Sequence, residues 1–254
     1  MSSPPTPSPI DTENLVAVRV WDLPVRLFHW AVVALLVFQG ITGWIGGSLM
    51  PWHLYSGYAL LVLVVFRIAW GFAGGTHARF ASFIAGPAAT VRFARRLFSR
   101  EAVPQLGHNP LGGWSVILML ASLALQAVTG LLANDGVVSA GPLAKLVTIE
   151  RSNALSEVHR WNFWVLVALS SLHILAVLFH MLVKRESLVH PMFTGVKRVP
   201  LAFLRERREA RRGSAPRRSA SREVSGYREA GLRRAVLALA ASIALVALVV
   251  TFPS

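Results

Sequence analysis

The chain has 254 residues, 54% of them hydrophobic and only 15% charged, the balance of an integral membrane protein and not of a soluble domain with a large core. It has no cysteine, which excludes disulfides, covalently attached c-type haem, iron–sulfur ligation and thiolate zinc sites. The net charge of +14 is no nucleic-acid footprint: 15 of the 26 Lys and Arg fall between Lys184 and Arg234 and six more between Arg67 and Arg100. Both stretches share one side of the membrane in the topology below, the pattern of the positive-inside rule and of attraction to anionic lipid headgroups.

Met1 to Ile10 is rich in Ser and Pro and has no positive n-region, so a short disordered tail is expected there instead of a cleaved signal peptide. Five apolar spans follow: about Leu23 to Ile45, Pro51 to Phe72, Gly112 to Ala133, Val158 to Val183 and Arg234 to Phe252. Each is near the roughly 20 residues a helix needs to cross a bilayer, and lipid demands that the backbone satisfy itself as helix. Asp22 is a good N-cap for the first, with Pro24 suited to its first turn. A cytoplasmic N-terminus puts Arg79, Arg92, Arg95, Arg96, Arg100 and the whole later basic set inside, leaving Lys145, Arg151 and Arg160 outside. Trp21, Trp30, Trp44, Trp52, Trp70, Trp114, Trp161 and Trp164 fall near span ends, where interfacial anchoring is expected. Arg205 to Arg234 predicts a solvated, partly helical basic linker along the membrane surface, and the fifth span an anchor or assembly helix.

Four histidines sit in these spans, and ionisable residues there are rare and functional. With this topology His29 lies toward the cytoplasmic face and His53 at the outer face. His159 and His173 share the fourth span, 14 residues apart, so they face the same way about 21 Å apart along the helix. His53 therefore pairs in depth with His159, and His29 with His173. Paired neutral imidazoles in an apolar bundle point to haem. His180, seven residues after His173, competes as the inner ligand, but it would set the two sites about 31 Å apart, nearly the hydrocarbon thickness. Gly40 and Gly43, within about 40° of the His29 face, and Gly57, one turn after His53, offer room for a macrocycle or for close helix packing. His77, His108 and His190 fall in cytoplasmic loops and are expected to be solvated.

Several motifs resemble the bacterial diheme cytochrome b561 family, grouped with the cytochrome b subunit of nickel–iron hydrogenases. Val18-Arg19-Val20-Trp21-Asp22-Leu23-Pro24 leads into Arg26-Leu27-Phe28-His29-Trp30. His53-Leu54-Tyr55-Ser56-Gly57-Tyr58 leads into Phe66-Arg67-Ile68-Ala69-Trp70-Gly71-Phe72. Ala78-Arg79-Phe80, Gly107-His108-Asn109-Pro110-Leu111-Gly112-Gly113, Val158-His159-Arg160-Trp161-Asn162 and Leu172-His173 complete the set. The resemblance covers roughly Val16 to Arg198. It implies an all-α integral membrane protein: a four-helix bundle with two b-type haems, ligated by His53 with His159 at the outer face and by His29 with His173 at the inner.

The expected organisation is a tail over 1–15, a cytochrome b domain over 16–198, a basic cytoplasmic linker over 199–233 and a transmembrane helix over 234–254. Arg19, Arg26, Arg67 and Arg160 are candidates for pairing with haem propionates. The expected function is electron transfer across the bacterial inner membrane, between membrane quinone and a periplasmic partner such as a c-type cytochrome or a dehydrogenase. The alternatives are a superoxide oxidase that reduces quinone and the membrane subunit of a hydrogenase or other dehydrogenase. Anionic lipid is the expected partner of the basic linker, and nucleic acid is not a partner.

Overall fold

The computed structural model describes residues 15–97, 106–136, 139–212 and 231–252. The expected N-terminal tail and the linker residues 213–230 lie outside these. A strand β1 (Leu15–Arg19) leads into α1 (Leu23–Ile45) and α2 (Met50–Ala73). Two short helices, α3 (Phe80–Phe83) and α4 (Pro87–Arg96), precede α5 (Pro110–Leu132) and α6 (Ile149–Leu182). Then come α7 (Val189–Thr194), β2 (Val196–Pro200), α8 (Leu201–Arg212) and α9 (Leu232–Thr251). Helices α1, α2, α5, α6 and α9 are each long and apolar enough to cross a membrane, and the chain is a multi-pass membrane protein.

The first span begins where its sequence dictates. Asp22 caps α1 by accepting from Val25 N at 3.0 Å, and a proline stands in the first turn. The same carboxylate accepts from Trp70 Nε1 at 3.2 Å and from Gly75 N at 3.3 Å, so one buried side chain ties the start of α1 to the end of α2. β1 pairs antiparallel with β2, Leu15 opposite Pro200 and Arg19 opposite Val196. Val20 N and Trp21 N both donate to Gly195 O. Gly195 has φ +80, and a Cβ there would lie 2.8 Å from Trp21 O, so the close approach requires glycine. The start of α1 and the chain after α6 therefore meet on one face, which carries most of the positive charge and is called the basic face below.

Two clusters make the core. Val32, Leu60, Val64, Leu120, Leu123 and Leu166 come from α1, α2, α5 and α6 and fill the middle of a four-helix bundle. Val20, Trp21, Val25, Phe66, Trp70 and Ala78 pack at the basic face, and Ala235 of α9 joins them. Helix α9 runs along α2 with Ala235, Ser242 and Val246 buried. The fifth span is thus a packed helix and not a detached anchor, yet it adds nothing to the mid-bundle cluster.

Three sequence expectations are corrected. Helix α6 starts at Ile149, nine residues before the apolar run, because its polar first turns bind the preceding loop: Ser152 Oγ donates to Leu132 O (2.7 Å) and Ser156 Oγ to Asn134 O (2.8 Å). The loop after α2 is partly helical, α4 carrying Arg92, Arg95 and Arg96 beside α5. Trp70 and Trp21 are buried core residues and not interfacial anchors, whereas Trp44, Trp52, Trp114, Trp161 and Trp164 are exposed on the bundle surface as expected.

Replacing Asp22 with Ala strands three donors in a buried site. We expect a loss of about 2–4 kcal/mol, read as a lower unfolding midpoint in detergent.

Candidate functional site

His53 of α2 and His159 of α6 face one another, their ring centroids 6.2 Å apart and their planes at 79°. A metal–imidazole bond of about 2.0–2.1 Å would put each ring centroid roughly 3 Å from the metal, so two imidazoles that shared one metal would have centroids about 6 Å apart. The observed separation fits a metal between them. Each histidine leans on the helix that precedes it in the chain. His53 Nδ1 lies 3.3 Å from Thr42 Oγ1 of α1, and His159 Nδ1 lies 3.3 Å from Thr129 Oγ1 of α5. His159 Nδ1 also donates to Gln126 O at 2.9 Å. A Cβ on Gly43 would come within 2.9 Å of the His53 ring, and one on Gly130 within 2.9 Å of the His159 ring. Gly43 thus makes room for an imidazole. Gly57 makes room for the Gln39 amide, and Gly40 faces Phe163.

At the other end of the bundle stand His29 and His173. Both stand on the expected helices, α1 and α6, and the 14 residues from His159 to His173 are unbroken helix. His180 has its Nδ1 2.9 Å from Ala176 O, one turn back on its own helix. Among the described residues, the buried side-chain polar atoms without a hydrogen-bond partner are Arg26 Nε, His29 Nδ1, Arg67 Nη1 and His108 Nδ1. All four belong to this end of the bundle. Arg67 is only 3% exposed, with its guanidinium 5.1 Å from the Phe80 ring centroid. Arg26 Nη1 donates to Phe193 O. A buried cation with an idle N–H is costly unless an anion reaches it, and haem propionates are such anions.

His108 departs from expectation. It is wedged between the rings of Trp21 and Phe83, each centroid 4.7 Å away. Burial first, then the charges of Arg67, His173 and His77, push its pKa down to about 3, so it is neutral at physiological pH. Of the other predicted arginines, Arg19 is exposed in β1, and Arg160 is a surface residue, 70% exposed, paired with Glu157 at 2.6 Å. His190 is exposed in α7, and His77 lies against Gly107.

Residues 20–195 match the family described as prokaryotic cytochrome b561. The chain belongs to that family. The matched region holds all four span histidines, and α8 and α9 lie beyond it. Membership makes the chain a b-type cytochrome that transfers electrons across the membrane, which agrees with histidines in the spans and a buried Arg67. Curated relatives named "Probable Ni/Fe-hydrogenase B-type cytochrome subunit" are similar. Those of Azotobacter chroococcum mcd 1 and Azotobacter vinelandii are each 26% identical over 212 residues, covering 70% of this chain and 88% of the relative. That of Rhizobium leguminosarum bv. viciae is 24% identical over 220 residues, with the same coverage. No solved structure matches the chain.

Sequence reasoning missed Gln39, Thr42, Gln126, Thr129 and Asn162. A signal was present: Gln39-Gly40-Ile41-Thr42-Gly43 and Gln126-Ala127-Val128-Thr129-Gly130 share one pattern.

Gly43→Ala pushes a methyl against the His53 ring and Gly130→Ala one against the His159 ring. Either change should lower haem per chain, as measured by haem extraction against a protein assay.

Proposed function

We propose that the chain holds two b haems, one between His53 and His159 and one between His29 and His173, and passes electrons between membrane quinone and a redox partner at the face opposite the basic one. The observation that carries this reading is the His53–His159 pair, two imidazoles on two different spans at a separation that would suit one shared iron. A haem with two histidine ligands supplies one-electron exchange and no open coordination position. The chain's own residues do the rest. The helices hold the ligands, Arg67 and Arg26 offer positive charge to propionates at the basic face, and the apolar cluster between the two levels excludes water.

The charge distribution supports placing the basic face in the cytoplasm of a bacterium, with the protein in the inner membrane. Helix α8, with Arg205, Arg207, Arg208, Arg211 and Arg212, is suited to an anionic lipid surface there. The partner at the opposite face is a dehydrogenase or a c-type cytochrome. The names of the curated relatives favour a hydrogenase among these.

Pyridine haemochrome analysis should give close to two noncovalent haems per chain, and one per chain would refute the two-site reading. His159→Ala should remove only the haem at the far face and His173→Ala only the one at the basic face, each with the other haem's spectrum retained. If His180→Ala removes the basic-face haem and His173→Ala does not, the ligand assignment is wrong.

A further inference from the structure

The four spans of the bundle form two hairpins, α1 with α2 and α5 with α6, and each hairpin contains the same contact set around one histidine. The first helix carries Gln-x-x-Thr-Gly and the second carries the histidine. Gln39 Nε2 donates to His53 O at 3.0 Å, and Gln126 Nε2 donates to His159 O at 3.0 Å. Thr42 and Thr129 each stand 3.3 Å from their histidine's Nδ1. Gly43 and Gly130 each meet their histidine's Cε1 at the same Cβ distance, 2.9 Å. The threonine precedes its histidine by 11 residues in one hairpin and by 30 in the other, so chain spacing does not impose the match.

We propose that the two Gln-x-x-Thr-Gly segments are a duplicated positioning device for the ligands of the haem between His53 and His159, an inference that rests on the two-haem reading above. A threonine hydroxyl has one hydrogen. Thr42 gives it to its own helix, with Phe38 O at 2.8 Å and Gln39 O at 3.3 Å. Thr129 does the same, with Leu125 O at 2.7 Å and Gln126 O at 3.1 Å. Each oxygen therefore faces Nδ1 as an acceptor, and at His159 it does so beside the Gln126 carbonyl, to which Nδ1 donates at 2.9 Å. Nδ1 must carry the ring proton, which leaves Nε2 bare for a metal. The carboxamides act on the backbone: each grips the peptide carbonyl of the histidine and fixes where the imidazole starts. Asn162, one turn past His159, orients the second of them by donating to Gln126 Oε1 at 2.6 Å, and Asn162 itself accepts from Ser122 Oγ at 2.8 Å. In the first hairpin Gly57 leaves space for the Gln39 amide, whose Nε2 lies 3.0 Å from where a Cβ would be. The His29–His173 pair has no such device, and His29 Nδ1 has no partner at all.

A hydrogen bond donated by Nδ1 makes an imidazole a stronger donor to ferric iron, so removing the threonine acceptors, which leaves His159 only the Gln126 carbonyl, raises the haem's potential. The test uses the full-length chain in detergent, with Thr42→Val/Thr129→Val compared with Thr42→Ser/Thr129→Ser. Redox titration and the low-spin ferric electron paramagnetic resonance signal are the readouts. The valine pair should raise the potential and move the resonance signal of one haem, or lower that haem's occupancy, and leave the second haem as it was. The serine pair should restore both properties. Gln126→Leu should broaden the same haem's resonance by loosening its ligand. An unchanged spectrum and potential in the valine pair would overturn the proposal, as would a change that falls equally on both haems or one that serine does not reverse. A wild-type chain without two haems would overturn the two-haem reading itself, which the unsubstituted protein reports separately.

Discussion

An imidazole that binds a metal inside hydrocarbon has to keep one ring nitrogen bare while every other polar atom around it finds a partner. That constraint explains features of the bundle that packing alone does not. Helix α5 carries no histidine, yet Gln126 and Thr129 make it the element that holds His159. The buried Ser122–Asn162–Gln126 chain would be a costly defect in a membrane core if it were incomplete. Completed, it fixes one amide whose donor ends on the carbonyl of His159. The two glycines that touch the imidazoles follow from the same requirement, since a ring pressed against a neighbouring helix leaves no space for a Cβ.

The two ends of the bundle solve different problems. Around His53 and His159 the hydrogen bonds close among the protein's own groups. At the basic face Arg26, His29, Arg67 and His108 each keep a buried atom without a partner. Helices α2 and α6 make the contrast concrete. Fourteen residues after His159, α6 presents His173; fourteen residues after His53, α2 presents Arg67. At the same helical step one helix brings a histidine and the other a charge, and α1 brings His29 to the same end. A neutral His108 beside Arg67 adds no competing positive charge, because its surroundings suppress protonation. The basic face is thus poised for an anionic group, and the far face is not.

Much of this was legible in the sequence. The bounds of α1 follow from Asp22, Pro24 and an uninterrupted apolar run, and the depth matching of four histidines places two on each level. The sequence did not reveal the start of α6, because polar residues that bind a loop look like loop. Nor did it reveal the β1–β2 pair, whose two strands lie far apart along the chain and are joined only through the spans between them. Trp21 and Trp70 show the limit of a positional rule: tryptophans at span ends face either lipid or the core, and only the Asp22 network decides for Trp70. His108 shows the same for loops, since the segment that carries it folds back beneath the bundle. The Gln-x-x-Thr-Gly repeat was visible but is too short to stand out before its contacts are known.

In the proposed two-haem arrangement helix α6 carries a ligand for each site, and this sets how the two sites relate. Two cofactors held on separate helices would have a spacing that depends on how those helices slide and tilt. Here His159 and His173 are joined by 14 residues of continuous helix, so their axial separation of about 21 Å is fixed by the rise per residue. That length is some 9 Å less than a hydrocarbon core of about 30 Å, so both levels fit within the thickness of one bilayer. The extra turns of α6 from Ile149 onward brace the ligand-bearing stretch, tied through Ser152 and Ser156 to the loop that follows α5. The spacing of the two sites is therefore a property of one helix, and the remaining spans have only to bring a second ligand to each of its two histidines.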